Sequence, residues 1–398
     1  AGEWEEKQVG EVFKVTRGEV LSMTLVQDKK TNEASYPVYS SQTKNNGLSG
    51  YYSDFLYEDA ITWTTDGANA GDVNYRSGKF YCTNVCGVLI NTNGYANPCI
   101  AALINSVSRS HVSYVGNPKL MNGVMAKITI PFPTVEEQQK IADCLSSIDE
   151  LITLEAQKLG TLKTHKKGLM QQLFPTEGET LPKLRFPEFR GAAKWEEMKL
   201  IDATDKTVKW SFIGGPFGSN LKSSDYVDDG IRIIQLQNIG DAEFIDDYRI
   251  FTSEEKADEL LSNNIYPGDI ILSKMGDPVG RACLIPDVHN RYVMCSDGIR
   301  LVVDEKSNSK YFIYLLINSM QFRSLVEKTA TGSTRKRIGL DELKNLPMLL
   351  PKKNEQQKIA DCLSSIDELV TLEAQKLATL KAHKKGLMQQ LFSALDEM

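Results

Sequence analysis

Between Glu137 and Phe174 the apolar residues recur in alternating steps of four and three: Ile141, Leu145, Ile148, Ile152, Leu159, Leu162, Leu169 and Leu173. Two further positions on the same seam are charged, Glu155 and Lys166. A sustained 3.5-residue period predicts a coiled-coil helix rather than one laid on a globular core. No Pro interrupts the segment, and most of its residues are good helix formers. Thr134 and Glu137 have capping-box spacing, and Pro175 follows the end. At ~1.5 Å per residue the helix would be roughly 57 Å long.

The pattern is written twice. Glu355–Phe392 repeats Glu137–Phe174 at an offset of 218, with 35 of 38 positions identical. The changes are Ile152/Val370, Gly160/Ala378 and Thr164/Ala382. The charged seam positions of the second copy are Glu373 and Lys384. A parallel in-register pair would oppose like charges. An antiparallel pair sets Glu155 against Lys384 and Lys166 against Glu373. It also pairs Ile148 with Leu391, Ile152 with Leu387, Leu159 with Leu380 and Leu162 with Leu377. The expectation is two antiparallel helices related by a pseudo-twofold axis. The charges would fix register more than add stability, because a buried pair recovers little beyond its desolvation cost.

The segments between alternate differently. "AITWTTDGANAGDV", "CGVLINTNG", "GIRIIQLQNIG" and "GDIILSKMGDPVG" are short β-branched or aromatic runs broken by Gly, Asn and Asp. They predict strands joined by tight turns. A helical piece is expected at Lys310–Glu327. Trp-Glu-Glu occurs at Trp4–Glu6 and again at Trp195–Glu197, so each half opens alike. Residues 175–191 hold three prolines and predict an extended connector. The expected fold class is α+β. Two β-rich mixed α/β domains, 1–135 and 193–353, are separated by two long antiparallel coiled-coil helices, 136–174 and 354–392. A linker spans 175–192 and a tail 393–398.

Composition narrows this only a little. The chain of 398 residues has a net charge of −6, weakly against nonspecific coating of nucleic acid. No apolar run is long enough to span a membrane, and the start has no signal-peptide pattern. Seven cysteines without a CxxC or a nearby His predict reduced structural thiols, not zinc, and suit the cytoplasm. "NPCI" at Asn97–Ile100 lacks the second Pro and the aromatic of an amino-methyltransferase motif. There is no phosphate-binding GxxxxGK[ST], and Ser219-x-x-Lys222 has no companion motif. No catalytic residue, metal or cofactor is expected in this chain.

The ordered set resembles one family. A β-rich variable domain leads into a long helix with "LSSIDEL", and then all of it recurs. "LRFPEF" at Leu184–Phe189 precedes Trp195, and "GDIILSKMGDPVGRA" and "TGSTRKRIGLDELKNLPMLLP" follow. Together these resemble the specificity subunit of a type I DNA restriction–modification system, over essentially the whole chain. The departure is the lack of an "LRFPEF" counterpart before Trp4, consistent with a trimmed N-terminus. The resemblance implies two target recognition domains, each reading one half of a split double-stranded DNA sequence. It implies helices that bind two methyltransferase subunits, with restriction subunits joining. S-adenosylmethionine would belong to the methyltransferase partner and ATP to the restriction partner. A modification-only or type II-like system is an alternative. So is a coiled-coil scaffold with two binding heads and no DNA target.

Candidate DNA-binding residues follow from the side chains that reach phosphates and base edges. In the second domain the best cluster is Thr331, Gly332, Ser333, Thr334, Arg335, Lys336 and Arg337. Gln235, Gln237 and Asn238 add amides, and Lys222, Lys274 and Arg281 add cations. Offset by 218, Arg337 falls on Lys119, so the first domain's matching loop is expected about Gly116–Asn122, with Asn117. Arg76, Lys79, Arg17, Ser41, Gln42 and Lys44 complete that set. Two near-identical helix surfaces suggest two copies of one partner, although recent duplication also makes them alike. The candidates there are Gln138, Gln139, Asp143 and Ser147, with Gln356, Gln357, Asp361 and Ser365.

Overall fold

The repeated Trp-Glu-Glu opens the same element in both halves. Glu5–Gln8 pairs antiparallel with Thr129–Phe132, and Glu196–Lys199 pairs antiparallel with Pro347–Leu350. The apolar members of each second strand, Ile130 and Met348, are buried. Each ribbon thus joins the beginning of a variable region to the residues that enter a long helix. The computed structural model describes residues 4–41, 44–333 and 335–392. They fall into two units. One takes the chain through Lys158 plus the part from Glu373; the other runs from Leu159 to Leu372.

In the first unit a six-stranded sheet carries the variable region. Its strand order is Lys14–Arg17, Cys86–Ile90, Tyr57–Thr64, Val73–Cys82, Tyr36–Tyr39, Leu48–Tyr52. Neighbours are antiparallel except where Val38 and Tyr39 meet Tyr81 and Cys82. The helix Pro98–Ser108 packs on this sheet, with Cys99, Ile100, Leu103 and Ile104 in one cluster with Ile61, Trp63 and Leu89. The Asn-Pro pair in "NPCI" is its start. Asn97 Oδ1 accepts from the Ile100 N–H at 3.0 Å, and Pro98 takes the first turn.

Beside its two-stranded pairings, the second unit holds two larger sheets among the described residues. Four strands run Phe212–Gly214, Gly298–Leu301, Ile270–Ser273, Ala282–Leu284, and five run Tyr226–Val227, Ile250–Thr252, Ile231–Ile234, Tyr292–Met294, Asn264–Ile265. The helical piece expected at Lys310–Glu327 is two helices, Lys310–Ile317 and Met320–Thr329. Ser319 breaks them, because its hydroxyl accepts from the Phe322 N–H and caps the second. Residues 175–191 are not a free connector. Leu181 and Phe186 pack on the core of this unit, and Arg185 forks onto Glu355.

The long helices are Val135–Leu173 and Lys353–Leu391. In the first unit the N-terminal part of one meets the C-terminal part of the other antiparallel. Asp149 pairs with Lys384 at 2.5 Å, Glu155 with Lys376, and Lys158 with Glu373 at 2.5 Å. The direction is as the seam charges imply; the register is not. Glu155 does not meet Lys384 but Lys376, and Lys166 is bonded at 2.5 Å to Asp367 rather than to Glu373. The helices are slid by one heptad. Such a slide keeps the apolar seam in phase, so flanking residues decide between the two registers. Asp149 and Asp367 take the seam lysines, while Lys158 and Lys376 take the seam glutamates. The Lys384–Asp149 pair of one unit recurs at the 218 offset as the Lys166–Asp367 pair of the other.

Candidate nucleic-acid interface

Each unit carries, at matching positions, a loop closed by a pair of backbone hydrogen bonds. In the first, Ser113 and Lys119 exchange both N–H···O bonds at 2.9 Å; in the second, Thr331 and Arg337 do so at 2.9 and 2.8 Å. The two pairs lie 218 residues apart, so this is one element built twice. Each turns through a glycine at positive φ, Gly116 at 78° and Gly332 at 111°. Each is also held to a second segment. Lys119 bridges to Asp66, and Lys336–Arg337 pairs with Met275–Gly276. The frame repeats while the sequences differ: Ser-Tyr-Val-Gly-Asn-Pro-Lys against Thr-Gly-Ser-Thr-Arg-Lys-Arg.

Around the second loop the expected cations converge. Lys274 accepts the Ile338 N–H on its carbonyl and donates its own N–H to Asp297. The Arg281 guanidinium lies against Gly276. Arg337 is tied to Asp297 at 2.6 Å and Lys336 to Glu327 at 2.5 Å. Arg335 is exposed and has no ion-pair partner among the described residues. It is the cation of this loop most available to an incoming anion. Thr331, Gly332 and Ser333 are exposed, and Thr334 lies outside the described residues.

The amide cluster at Gln235–Asn238 is not an outward row on a strand. It is a turn after Ile231–Ile234. Asn238 is fully buried: its Oδ1 accepts from the Gln235 N–H, and its Nδ2 donates to the carbonyls of Ile245 and Tyr248. It is therefore a structural residue, because leaving those groups unpaired would be costly. Gln235 donates to the Tyr226 hydroxyl at 3.3 Å, while Gln237 and Lys222 are exposed.

In the first unit Arg76 is also withdrawn from an interface. It is 8% exposed, stacked 3.8 Å over Tyr39, and bonded to Thr62 and to the Asn46 carbonyl. Burial lowers its pKa, with Tyr39 acting in opposition. Arg17 reaches the Met121 sulfur, just beyond the closed loop. The Ser41 carbonyl accepts from Asn69 in the turn beside Asp66. Arg17, Ser41, Asn117 and Lys119 thus gather around this loop. Lys79 instead lies over Phe55, 4.5 Å from the ring. Gln42 lies outside the described residues, and of Lys44 only the backbone, at the start of a short helical turn, is described.

The expected loop, Gly116–Asn122, begins three residues too late. Tyr114 and Val115, the latter 93% exposed, stand on it. Subtracting 218 from Thr331 rather than from Arg337 alone finds them. Phe217 was also missed. It is 82% exposed within the turn-rich "GGPFGSN", where the Gly215 N–H donates to the Gly298 carbonyl, next to Asp297. An aromatic between Gly-Pro and Gly is the available signal.

On the helices, Gln139, Asp143, Ser147, Gln357, Asp361 and Ser365 are exposed. Gln138 and Gln356 are each 2% exposed and face inward. Gln138 joins Asn97 to the Pro133 carbonyl, and Gln356 joins Ser309 and Asn308 to the Pro351 carbonyl. They bolt each helix start to its own variable region, so they are not partner-facing. The first-turn position of a helix entering from a buried strand must face the domain it leaves.

The sequence profile of the type I restriction modification DNA specificity domain matches residues 1–164 and 230–382. The chain is 23% identical to the type I restriction enzyme MjaVIII specificity subunit of Methanocaldococcus jannaschii, over 98% of this chain and 92% of that protein. It is 34% identical to the type I restriction enzyme MpnII specificity subunit of Mycoplasma pneumoniae, over 37% of this chain and 44% of that protein. A crystal structure of a type I restriction–modification system S subunit from M. genitalium superposes with a TM-score of 0.64. That match has 16% identity and covers 98% of this chain and 96% of that one.

Proposed function

The chain belongs to the type I restriction modification DNA specificity family, and we propose that it reads a split DNA sequence with one closed loop per unit. It is a DNA-recognition component that is not itself catalytic. The observation that carries the reading is the pair of loops at Ser113–Lys119 and Thr331–Arg337, alike in frame and unlike in sequence. A common frame places side chains at a groove in the same way twice; different tips read different bases. Arg335 has the fork that suits guanine N7 and O6, and Asn117 the amide that suits adenine. Lys119, Lys274 and Arg281 supply phosphate contacts, which position the protein without specifying sequence.

The exposed helix positions Gln139, Asp143 and Ser147, with Gln357, Asp361 and Ser365, dock two methyltransferase subunits in this reading. Leu151, Leu154, Leu369 and Leu372, each about half exposed, extend those faces with apolar surface. Restriction subunits complete the complex. S-adenosylmethionine is the methyltransferase partner's cofactor and ATP the restriction partner's.

The test is a band shift of the complex with its methyltransferase subunits in rising salt. Nonspecific binding falls steeply with salt, whereas a band on a split sequence persists. Equal loss on every duplex would leave a protein-binding scaffold instead.

A further inference from the structure

The Thr331–Arg337 loop does not rest on the sheets alone. Lys336 pairs with Glu327 at 2.5 Å, which ties the loop to the helix Met320–Thr329. The turn leading to Arg281 rests on the same helix: Gly280 takes φ 73°, and a Cβ there would come within 2.6 Å of Val326. Arg323 stands one turn before Glu327, so the two side chains share a face of that helix. No basic cluster in the sequence marks it.

The charge of Arg323 is poorly compensated. Its side chain is 13% exposed, yet its carboxylate partner, Asp241, is 76% exposed and reaches it through a single bond of 3.3 Å. Its Nε is buried without a partner, and so is the Nε of Arg281. The Arg281 guanidinium lies against Gly276, and no ion pair holds it among the described residues. Asp277, in the same turn, is exposed and pairs with neither arginine. Burial lowers the pKa of Arg323; the Asp241 charge opposes this, and the neighbouring Arg281 charge adds to it. The turn that carries Asp241 is anchored on its inner side. Ala242 sits at φ 59°, and its carbonyl accepts the Tyr314 hydroxyl at 2.5 Å. The carboxylate is thus presented to Arg323 from a fixed backbone while remaining in solvent.

We propose that Arg323 and Arg281 together hold one phosphate of the DNA backbone, and that Asp241 is the counter-ion which this phosphate displaces. The assignment rests on the proposed DNA reading and adds to it a phosphate-contacting residue outside the loop. A phosphate offers oxygens to two planar forks of donors and relieves the repulsion between them. An exposed carboxylate held by one long bond costs little to release. Because the contact is to the backbone, it holds the duplex in place without specifying bases.

The experiment measures binding of the complex with its methyltransferase subunits to a duplex carrying the split sequence and to a random duplex, over a range of salt. Asp241→Asn, a change at an exposed side chain, tightens binding to both by about threefold. Arg323→Gln weakens both by about tenfold and lowers the slope of log K against log salt by about one, with the methylated motif unchanged. Adding Asp241→Asn to Arg323→Gln has no further effect. Asp258→Asn removes a carboxylate paired with Arg291 at 2.6 Å, changes net charge equally, and leaves affinity as it was. Should Arg323→Gln fail to fold, Asp241→Asn and Asp258→Asn decide. Unchanged affinity in Asp241→Asn, equal tightening by Asp258→Asn, or tightening that persists without Arg323 overturns the site while the preference for the split sequence stands. Absence of that preference in the unaltered complex overturns the DNA reading and this site together.

Discussion

Replacing Gln356 by alanine separates a residue that holds the fold from one that holds a partner. Its side chain accepts the Ser309 N–H at 3.0 Å and donates to Asn308 Oδ1 at 3.2 Å and the Pro351 carbonyl at 2.9 Å. All four residues are buried. Alanine leaves a backbone N–H, a backbone carbonyl and a side-chain oxygen without their partner. Each buried unsatisfied group costs about 1–3 kcal/mol, and water entering the vacated space recovers part of it, so the net loss is about 2–4 kcal/mol. The assay is urea unfolding of the isolated chain, reading the transition of the second unit. Gln357→Ala, next along the helix but exposed, is the control and shifts stability by no more than about 0.5 kcal/mol. If Gln356→Ala cost less than about 1 kcal/mol and instead weakened methyltransferase binding, the inward assignment would be refuted.

Three further outcomes follow from the same geometry. Asp149→Lys weakens the helix contact and Lys384→Asp in the same chain restores it. The double-mutant cycle gives a coupling of about 0.5–1 kcal/mol, whereas the same cycle on Glu155 and Lys384 gives none. Hydrogen bonding from the Lys376 ammonium, aided by its charge and that of Lys158, holds the Glu155 carboxyl below its ordinary 4.5. A depressed carboxylate contributes stability above its unfolded pKa and loses it on protonation. Acid unfolding should therefore begin below pH 4.5, and Glu155→Gln should flatten that limb of the stability–pH curve. Arg335→Ala weakens DNA binding by the complex and lowers the salt dependence by about one charge, measured as the slope of log K against log salt.

The sequence made the repeat, the helix pair and its antiparallel sense legible, because a seam with two opposite charges discriminates direction. It could not choose between registers one heptad apart. Both keep Leu145, Leu387 and their neighbours on the seam, and the choice lies with Asp149 and Lys158, outside it. Polarity likewise did not reveal facing. Gln138 and Gln356 look like surface residues in one dimension, yet each sits where a buried strand turns into a helix and needs its carbonyl bonded. Asn238 and Arg76, polar in the sequence but buried in the fold, make the same point: a polar side chain in a strand-rich segment serves the backbone as readily as it serves a ligand. The two loops were legible in part. The basic one stood out by composition, whereas Ser113–Lys119 carries little charge and becomes recognisable only once the closing bonds show that both loops share one frame.

The most direct measurement is a methylation map of a host whose specificity subunit carries the Ser113–Lys119 sequence in place of Thr331–Arg337. If each unit reads its own half-site through this loop, the methylated motif keeps one half and the gap unchanged while the other half is altered or lost. A motif changed in both halves, or unchanged in both, would contradict the account.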